Sequence, residues 1–360
     1  MVPDVFNGTN ATDQWSFDQT PGAAEKLRQH WDTYITEDDI AKIASYGMNA
    51  LRIPIGYWAF SNSNTTYITG ADEYLNRAVL WARNHGMKVW VDLHGAPGSQ
   101  NGFDNSGHSG DVNWQTPANL DETIAVLEII ANKYGTSDFA DVVAGIELVN
   151  EPISWGNNNW TLTQEWTKKA FVRVREAASN KNLRVVMHDS FTGAMSWLDI
   201  SKSLNNNATL LEASFAVDSH LYQVFTDTDQ NRTQEEHIRI ACENAQQLSG
   251  SQNASLPVYI GEWSASTNIC VQGNGTNFGG TSCNTTGCQC SASADMKDWN
   301  ATLVQTVGRY VEAQLDTWET SSSGYFFWSY RGGGAWSLEE GIEYGVIPNP
   351  VTSRKYAKQC

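Results

Sequence analysis

Short apolar runs rich in β-branched residues alternate along this chain with longer stretches in which apolar residues recur at helical spacing. Seven of the short runs are predicted as strands: 49–54, 88–95, 142–152, 184–190, 215–223, 257–264 and 324–330. Strands that alternate with amphipathic helices are typical of βα units around a parallel sheet. The pattern therefore predicts an α/β fold.

The predicted strands end in polar or aromatic residues. These residues include Arg52, His94, Glu151, His220, Glu262 and Trp328. In a (β/α)8 barrel the carboxyl ends of all strands meet on one face, where active sites are built. A doubly wound sheet would place its ligand at one switch point and use only a few strand ends. We therefore predict a (β/α)8 TIM barrel whose site lies at the carboxyl ends of its strands.

The segments between the strands support this organisation. Residues 22–47 have helical spacing, with Thr36 and Asp39 resembling a cap before Ile40. Residues 270–290 show no periodicity and hold four of the six cysteines, which predicts an inserted loop closed by disulfides. We find no internal repeat and no long linker, so residues 1–360 are predicted to form a single domain.

Charge narrows the range of partners. The chain has 23 basic and 40 acidic residues, a formal net charge of -17, which repels nucleic acid and anionic membranes and suits a neutral ligand. Solubility alone is an equally good reason for this charge. The 15 tryptophans and 13 tyrosines offer flat apolar faces of the kind that stack on sugar rings, although most will serve packing.

Glycosylation sequons and cysteines indicate the cellular route. The Asn-x-Ser/Thr sequons begin at residues 7, 10, 64, 159, 207, 231, 253, 274, 284 and 300. Together with an even number of cysteines, they favour the secretory pathway. No apolar run reaches the roughly 18 residues of a membrane span. The first ten residues do not resemble a signal peptide, so we expect a secreted protein whose amino terminus is incomplete here.

Three other chemistries find no support in the motifs. His94 and His220 lack companions at metal-ligand spacing, so no metal is expected. A serine hydrolase would need a Gly-x-Ser-x-Gly elbow at a strand end. The glycines at 332–334 lack the lysine and helix start of a phosphate loop.

Two glutamates suit glycoside hydrolysis, which needs a pair of carboxyl groups flanking the bond. Glu151 lies in Asn-Glu-Pro and Glu262 in Gly-Glu-Trp, each at a predicted strand end. As bare tripeptides these motifs are weak signals. If both glutamates act in a retaining enzyme, their carboxyl carbons are expected about 5 to 5.5 Å apart.

Longer motifs carry a family resemblance over nearly the whole chain. They are LRIPIGYWAF, VDLHGAPGSQNGFDNSG, GIELVNEP, DSHLYQVF, GEWSAS, FFWSY and PNPVTSRKYAKQC. In order and spacing they resemble the fungal exo-β-1,3-glucanases of glycoside hydrolase family 5. The resemblance implies a retaining, monomeric enzyme without a cofactor that releases glucose from the non-reducing end of β-1,3-glucan.

The resemblance also implies roles for individual residues. Glu151 would be the general acid/base and Glu262 the nucleophile. Supporting roles are implied for Arg52 beside the nucleophile, His94 and Asn150 on substrate hydroxyls, His220 and Tyr222 around the carboxylates, and Trp328 under the sugar. Phe103 and Phe225 match an aromatic pair that clamps the next sugar, with loop packing as the alternative. Trp336 matches a further position near the sugar, although the preceding segment, SYRGGG, is shorter than in the family.

The cysteines and the amino terminus are read from the same resemblance. Cys242 and Cys360 resemble a bridge that ties the carboxyl tail to the barrel, leaving the other four cysteines to pair within 270–290. The family begins its barrel with a strand resembling Gly-Gly-Trp-Leu-Val-Leu-Glu-Pro, and nothing similar precedes Val5. We therefore expect a barrel that lacks its first strand, through truncation or as a natural variant.

Two alternative functions remain open. A β-1,6- or β-1,4-glucanase of the same clan would share the acid and nucleophile, because cleft shape sets the linkage. A non-catalytic, glucan-binding wall protein would keep the aromatic residues but would not need both Glu151 and Glu262.

Overall fold

The computed structural model describes residues 3–356 and 358–360, so the first two residues and residue 357 lie outside the description. The described residues divide into two compact units. The first contains residues 3–44 and 49–218, and the second contains 45–48 and 219–360.

Five parallel strands form the sheet of the first unit in the order of the chain. They are β1 (Ala50–Gly56), β2 (Lys88–Gly95), β3 (Val143–Glu147), β4 (Arg184–His188) and β5 (Phe215–His220). In this register Arg52 lies opposite Trp90, Trp90 opposite Gly145, and Gly145 opposite Arg184. Gly145 is required there, because an added Cβ would lie 1.5 Å from the Trp90 ring nitrogen.

Among the described residues, three α-helices precede β1 and four connect the strands, as the alternating pattern predicts. They are α1 (Gln14–Asp18), α2 (Ala23–Thr33), α3 (Glu37–Ser45), α4 (Ala71–Asn84), α5 (Pro117–Tyr134), α6 (Trp160–Ala177) and α7 (Leu198–Asn205). Thr36 donates its backbone N–H and its hydroxyl to Asp39, each at 2.8 Å, which confirms the predicted cap of α3. Thr116 caps α5, with Pro117 in the first turn where no N–H is needed.

The core of this sheet consists of side chains that contribute no exposed surface. Val91, Leu93, Ile146, Val186 and Val217 are 0% exposed. Parallel strands covered on both faces show near-continuous apolar runs of this kind. The buried residues therefore explain why the strands could be recognised as short apolar runs.

The second unit contains one strand of the predicted set and several helices. Its elements are α8 (Asp227–Gln230), α9 (Gln234–Asn253), β6 (Val258–Glu262), α10 (Ala301–Ser321) and α11 (Leu338–Glu343). A capping box of Thr233 and Glu236 begins α9, and Asn300 caps α10.

The predicted strand at 324–330 is not a regular strand. It forms one parallel bridge, between Ile260 and Tyr325. Backbone hydrogen bonds nevertheless run beside β6, from Phe326 N to Ile260 O at 2.8 Å and from Trp328 N to Trp263 O at 2.8 Å. The segment is extended along β6 but departs from ladder geometry.

The cysteine-rich insertion has more order than a loop. It contains a three-stranded antiparallel sheet of β7 (Ile269–Val271), β8 (Asn277–Gly279) and β9 (Gln289–Cys290), in the order β8-β7-β9. The predicted disulfide-closed loop therefore also contains regular strands, which the sequence did not indicate because strands of two or three residues are too short to show periodicity.

Two further observations concern the chain as a whole. No strand precedes Ala50 among residues 3–49, where the structure has helices and turns. Within the described residues, none of the helices has both the length and the apolar character that crossing a membrane requires.

Candidate active site

Arg52 of β1 is the centre of a buried charged network in the first unit. Its side chain is 2% exposed, and its Nε lies 2.8 Å from Glu147 Oε2 and 3.7 Å from Asp218 Oδ2. Its Nη2 lies 3.1 Å from Asp92 Oδ2 and donates to Asn150 Oδ1 at 2.7 Å. The guanidinium is thus fixed by three carboxyl groups on β2, β3 and β5 and by Asn150, which follows β3.

Ionising all three carboxyl groups around one guanidinium would cost free energy, because the site is buried and the carboxylates repel one another. Burial raises the pKa of Glu147 well above its usual value, and although Arg52 opposes this shift, Asp92 and Asp218 add to it. Glu147 is 0% exposed, and its Oε1 has no hydrogen-bond partner in the described part of the chain. Burial therefore favours the protonated form of Glu147.

These carboxyl groups were missed by the sequence analysis, although a signal existed. Asp92 and Asp218 each stand two residues before a histidine that was selected, His94 and His220. Side chains two apart on a strand share a face. His94 Nδ1 indeed lies 2.7 Å from Asp92 Oδ2, which orients the ring of His94.

Asn150 and Glu151 follow β3, which ends at Glu147 rather than extending to 152 as predicted. Buried Gln100 ties them to β2, because its Nε2 donates to the carbonyls of His94 at 2.8 Å and Asn150 at 2.9 Å. Glu151 is 8% exposed and has a φ of 45°, a left-handed conformation that non-glycine residues seldom adopt. Strained backbone of this kind is concentrated at functional sites.

Asn105, in the loop after β2, contacts Glu151 and was also missed. Its Nδ2 donates to Glu151 Oε2 at 2.9 Å. The same loop carries Phe103, which is 40% exposed. Asp13 holds this loop through bonds to Ser109 N at 2.9 Å and Ser109 Oγ at 2.8 Å.

In the second unit, Glu262 ends β6 and is surrounded by two predicted neighbours. The Tyr222 hydroxyl donates to Glu262 Oε2 at 2.8 Å, and His220 Nδ1 lies 3.5 Å from the same oxygen. Leu221 N donates to the Glu262 carbonyl at 2.9 Å, so a backbone hydrogen bond holds the residues after His220 beside the end of β6. Glu262 itself is 5% exposed.

Aromatic rings extend from Tyr222 in the second unit. Its ring centroid is 5.4 Å from that of Phe225 and 5.2 Å from that of Trp336, and the Phe225 and Trp336 centroids are 5.9 Å apart. Phe225 is 69% exposed, so its ring faces solvent rather than the core. Trp328, half-buried, lies in the extended segment beside β6.

The disulfides include the expected bond between Cys242 and Cys360, and they give the pairing within the insertion, which the sequence left open. Cys242 and Cys360 are bonded across 118 residues, and Cys270–Cys290 and Cys283–Cys288 pair within the insertion. The insertion in turn contacts the start of α9, where Asn277 Oδ1 accepts from Gln234 N at 2.8 Å.

Comparison with solved structures shows the fold class. The rutinosidase from Aspergillus niger aligns over 96% of this chain and 91% of its own, with a TM-score of 0.71 and 23% identity. At that identity the similarity concerns fold alone. It confirms the predicted (β/α)8-barrel class.

Sequence comparison defines the family. The family model described as cellulase, glycosyl hydrolase family 5, matches residues 15–330, and the chain belongs to this family of glycoside hydrolases. It is 37% identical over 353 residues to glucan 1,3-beta-glucosidase 2 of Wickerhamomyces anomalus, covering 94% of this chain and 79% of that protein. It is 38% identical over 353 residues to the glucan 1,3-beta-glucosidase of Yarrowia lipolytica, covering 94% and 80%.

Proposed function

We propose that this glycoside hydrolase releases glucose from the non-reducing end of β-1,3-glucan by double displacement, with Glu151 as general acid/base and Glu262 as nucleophile. The observation that carries the proposal is the surroundings of the two glutamates. Each is buried beside a strand end and accepts a hydrogen bond from its own donor, Asn105 for Glu151 and Tyr222 for Glu262. The names of the relatives supply the β-1,3 linkage.

In the first step Glu262 attacks the anomeric carbon while Glu151 protonates the leaving oxygen, and in the second Glu151 activates the water that releases glucose. Two inversions retain the β configuration. The mechanism requires the carboxyl groups to lie about 5 to 5.5 Å apart, which remains a prediction. A crystal structure with more than about 7 Å between them would favour an inverting enzyme.

Asn150 and His94 are proposed to bind the sugar hydroxyls. Asn150 is 0% exposed, its Oδ1 accepts from Arg52, and its Nδ2 has no hydrogen-bond partner in the residues described here. The amide is therefore oriented with a donor still to be satisfied. A 2-hydroxyl is a suitable acceptor, and such a bond strengthens in the transition state.

The aromatic residues are proposed to bind the rings of the glucan. Trp328 would lie under the sugar at the cleaved bond, with Trp336 close by. Phe103 and Phe225, both exposed, would stack on the next sugar. An exposed aromatic ring is in contact with water in the free protein. Covering it with a sugar ring buries apolar area, and this burial favours binding.

The protein is further proposed to be a secreted or cell-wall monomer of one catalytic domain, without nucleic acid as a partner. Three disulfides suit an oxidising compartment. All sequon asparagines except half-buried Asn300 are exposed, as glycan attachment needs. The family match spans residues of both units, which supports one domain. Mass spectrometry of the secreted protein before and after glycan removal would test this part.

The catalytic assignment is tested with two variants and an aryl β-glucoside that has a good leaving group. Glu262→Gln should abolish turnover of every substrate. Glu151→Gln should retain the first step, because a good leaving group needs no proton, and azide should restore its turnover by replacing the activated water. Glu243→Gln, an exposed residue paired with Arg239, is the control and should behave as wild type. Identical behaviour of the Glu151 and Glu262 variants would contradict the assignment.

Linkage is tested separately with laminarin, pustulan and carboxymethylcellulose. Glucose release with retained configuration from laminarin alone supports the proposal. Preference for pustulan or carboxymethylcellulose would establish a β-1,6- or β-1,4-glucanase instead. Binding of laminarin without hydrolysis would establish the non-catalytic alternative.

A further inference from the structure

Gln223 joins the loop that carries Tyr222 to helix α9. Its Nε2 donates to the carbonyl of His237 at 3.1 Å, and because a carbonyl can only accept, the amide is oriented with Oε1 towards the ring of His237. Oε1 lies 3.0 Å from Nδ1 of that ring, so Nδ1 carries the proton and donates. Gln223 is 6% exposed and His237 is 0% exposed, so both bonds are shielded from water.

His237 is itself firmly held in the first turns of α9. Its backbone N–H donates to the Thr233 carbonyl at 3.1 Å, behind the capping box of Thr233 and Glu236. Its ring centroid lies 5.8 Å from that of Tyr310 on α10. Burial lowers the pKa of His237 to about 4, so the ring is neutral near pH 7 and has one proton to donate. The partner of Gln223 is therefore a fixed point of the second unit.

Tyr222 lies between two such attachments. On one side, Leu221 N donates to the Glu262 carbonyl at 2.9 Å. On the other, Gln223 is bonded twice to His237. Between them the Tyr222 hydroxyl donates to Glu262 Oε2 at 2.8 Å. The place of the hydroxyl is therefore determined by backbone that is held on both sides.

This hydroxyl matters most in the second step of the proposed double displacement. There the oxygen of water bonds to the anomeric carbon, and the bond between that carbon and Glu262 breaks with its electron pair. The proton of the water passes to the general base, and Glu262 leaves as a carboxylate. An O–H donor binds a carboxylate more strongly than the uncharged ester from which it forms. A correctly placed hydroxyl therefore lowers the barrier to this step.

We propose that Gln223 is a positioning residue that, through its two bonds to His237, holds the hydroxyl of Tyr222 on Glu262. The inference rests on the proposed function of Glu262. Because Gln223 acts through one hydroxyl, its effect on catalysis should vanish once that hydroxyl has been removed. A residue that merely stabilises the fold would not behave in this way.

The test is a double-mutant cycle on an aryl β-glucoside whose leaving group needs no proton, so that kcat reports the second step. Gln223→Leu should lower kcat about three- to tenfold, because both bonds to His237 are lost. In the Tyr222→Phe background the same change should alter kcat less than about twofold.

Variants of His237 separate the hydrogen bond from stability. His237→Leu removes the donor and should lower kcat as much as Gln223→Leu does. His237→Asn places an amide N–H near the position of Nδ1 and should restore most of that loss, although its smaller side chain leaves a cavity and lowers stability. Urea denaturation measures the stability of each variant, so kcat should follow the bond rather than the stability.

Gln234→Leu is the matched control. Gln234 is a glutamine of the same unit, 0% exposed, whose Nε2 donates to the Thr306 carbonyl at 3.3 Å and whose Oε1 accepts from the Thr267 hydroxyl at 3.2 Å. Its replacement also removes two buried hydrogen bonds and should lower the urea midpoint, but kcat should stay as in wild type.

Three results would overturn the inference: a wild-type kcat for Gln223→Leu, an equal fall in kcat in the Tyr222→Phe background, or an equal fall for Gln234→Leu. If Gln223→Leu does not fold, the His237 pair decides, and equal kcat values for His237→Asn and His237→Leu refute the role of the bond. Glu262→Gln keeps this separate from the proposed function. An inactive Glu262→Gln with a wild-type Gln223→Leu refutes only the role of Gln223, whereas turnover by Glu262→Gln removes the nucleophile assignment and the inference with it.

Discussion

The hydroxyl of Tyr222 donates a 2.8 Å hydrogen bond to Oε2 of Glu262. The ring that carries this hydroxyl also packs beside Phe225 and Trp336. One side chain therefore orients the proposed nucleophile and supports the exposed aromatic surface beside it. Changes to the hydroxyl and to the surface should have different kinetic effects.

Tyr222→Phe removes the hydroxyl and keeps the ring. We expect kcat to fall about ten- to hundredfold, because a hydrogen bond to a charged group contributes about 1.5 to 3 kcal/mol. Steady-state kinetics on an aryl β-glucoside measure the loss. Tyr74→Phe removes an exposed hydroxyl that donates to Asp32 and should leave kcat unchanged. A Tyr222→Phe enzyme within twofold of wild type would show that the bond does not matter for catalysis.

Much of the fold could be predicted because its strands are buried on both faces. A run such as KVWVDLHG is apolar in its middle except for Asp92, and β2 has the predicted bounds, Lys88–Gly95. The segment at 324–330 is equally apolar but does not form a regular strand. Apolar character reports burial, whereas ladder geometry depends on the neighbouring chain, which periodicity does not describe.

The site was only partly predictable for a related reason. The predicted strand ends select His94, Glu151, His220 and Glu262, although β3 itself ends at Glu147. The partners of these residues depend on loop geometry. Asn105 contacts Glu151 from the loop after β2, and no spacing rule predicts that contact. The repeated Asp-x-His at 92–94 and 218–220, in contrast, was a usable signal for the buried aspartates.

The Cys242–Cys360 disulfide should stabilise the fold far more than Cys283–Cys288. The first closes 118 residues and the second closes 5, and the entropy removed from the unfolded chain grows with loop length. We expect Cys242→Ala/Cys360→Ala to lower the free energy of unfolding by about 3 to 5 kcal/mol. Urea denaturation measures this, with Cys283→Ala/Cys288→Ala as the matched control. Equal losses in the two double variants would contradict the argument.

Glu147→Gln should make stability less dependent on pH. The pKa of Glu147 is raised by burial in the folded protein, so the folded state holds a proton that the unfolded chain releases above its ordinary value of 4.5. The free energy of unfolding contributed by this group is complete below that pH and declines as pH rises towards the folded-state pKa. Glutamine resembles the protonated carboxyl and does not titrate.

Urea denaturation between about pH 4 and pH 8 tests this prediction. The variant should match wild type at the acid end and lose less stability as pH rises. Glu147→Ala, which leaves Arg52 without its 2.8 Å partner, should instead be destabilised at every pH. A Glu147→Gln variant that is less stable than wild type throughout would mean that the ionised carboxylate, not the proton, is what Arg52 requires.

Phe225→Ala should weaken binding of the leaving sugar without impairing the chemical step. Phe225 is 69% exposed and lies 5.9 Å, centroid to centroid, from Trp336, so its removal opens no cavity in the core. Loss of one stacking surface should raise KM for laminari-oligosaccharides about five- to twentyfold, whereas kcat/KM for an aryl glucoside should change little. Phe225→Tyr keeps the ring and should restore the oligosaccharide KM.

Leu211→Ala, at a position 90% exposed, is the control for loss of an apolar surface residue. If alanine at 225 leaves the oligosaccharide KM unchanged, Phe225 serves loop packing and the clamp is refuted. If both substrates are impaired equally, the ring acts through Tyr222 on Glu262 rather than on the sugar.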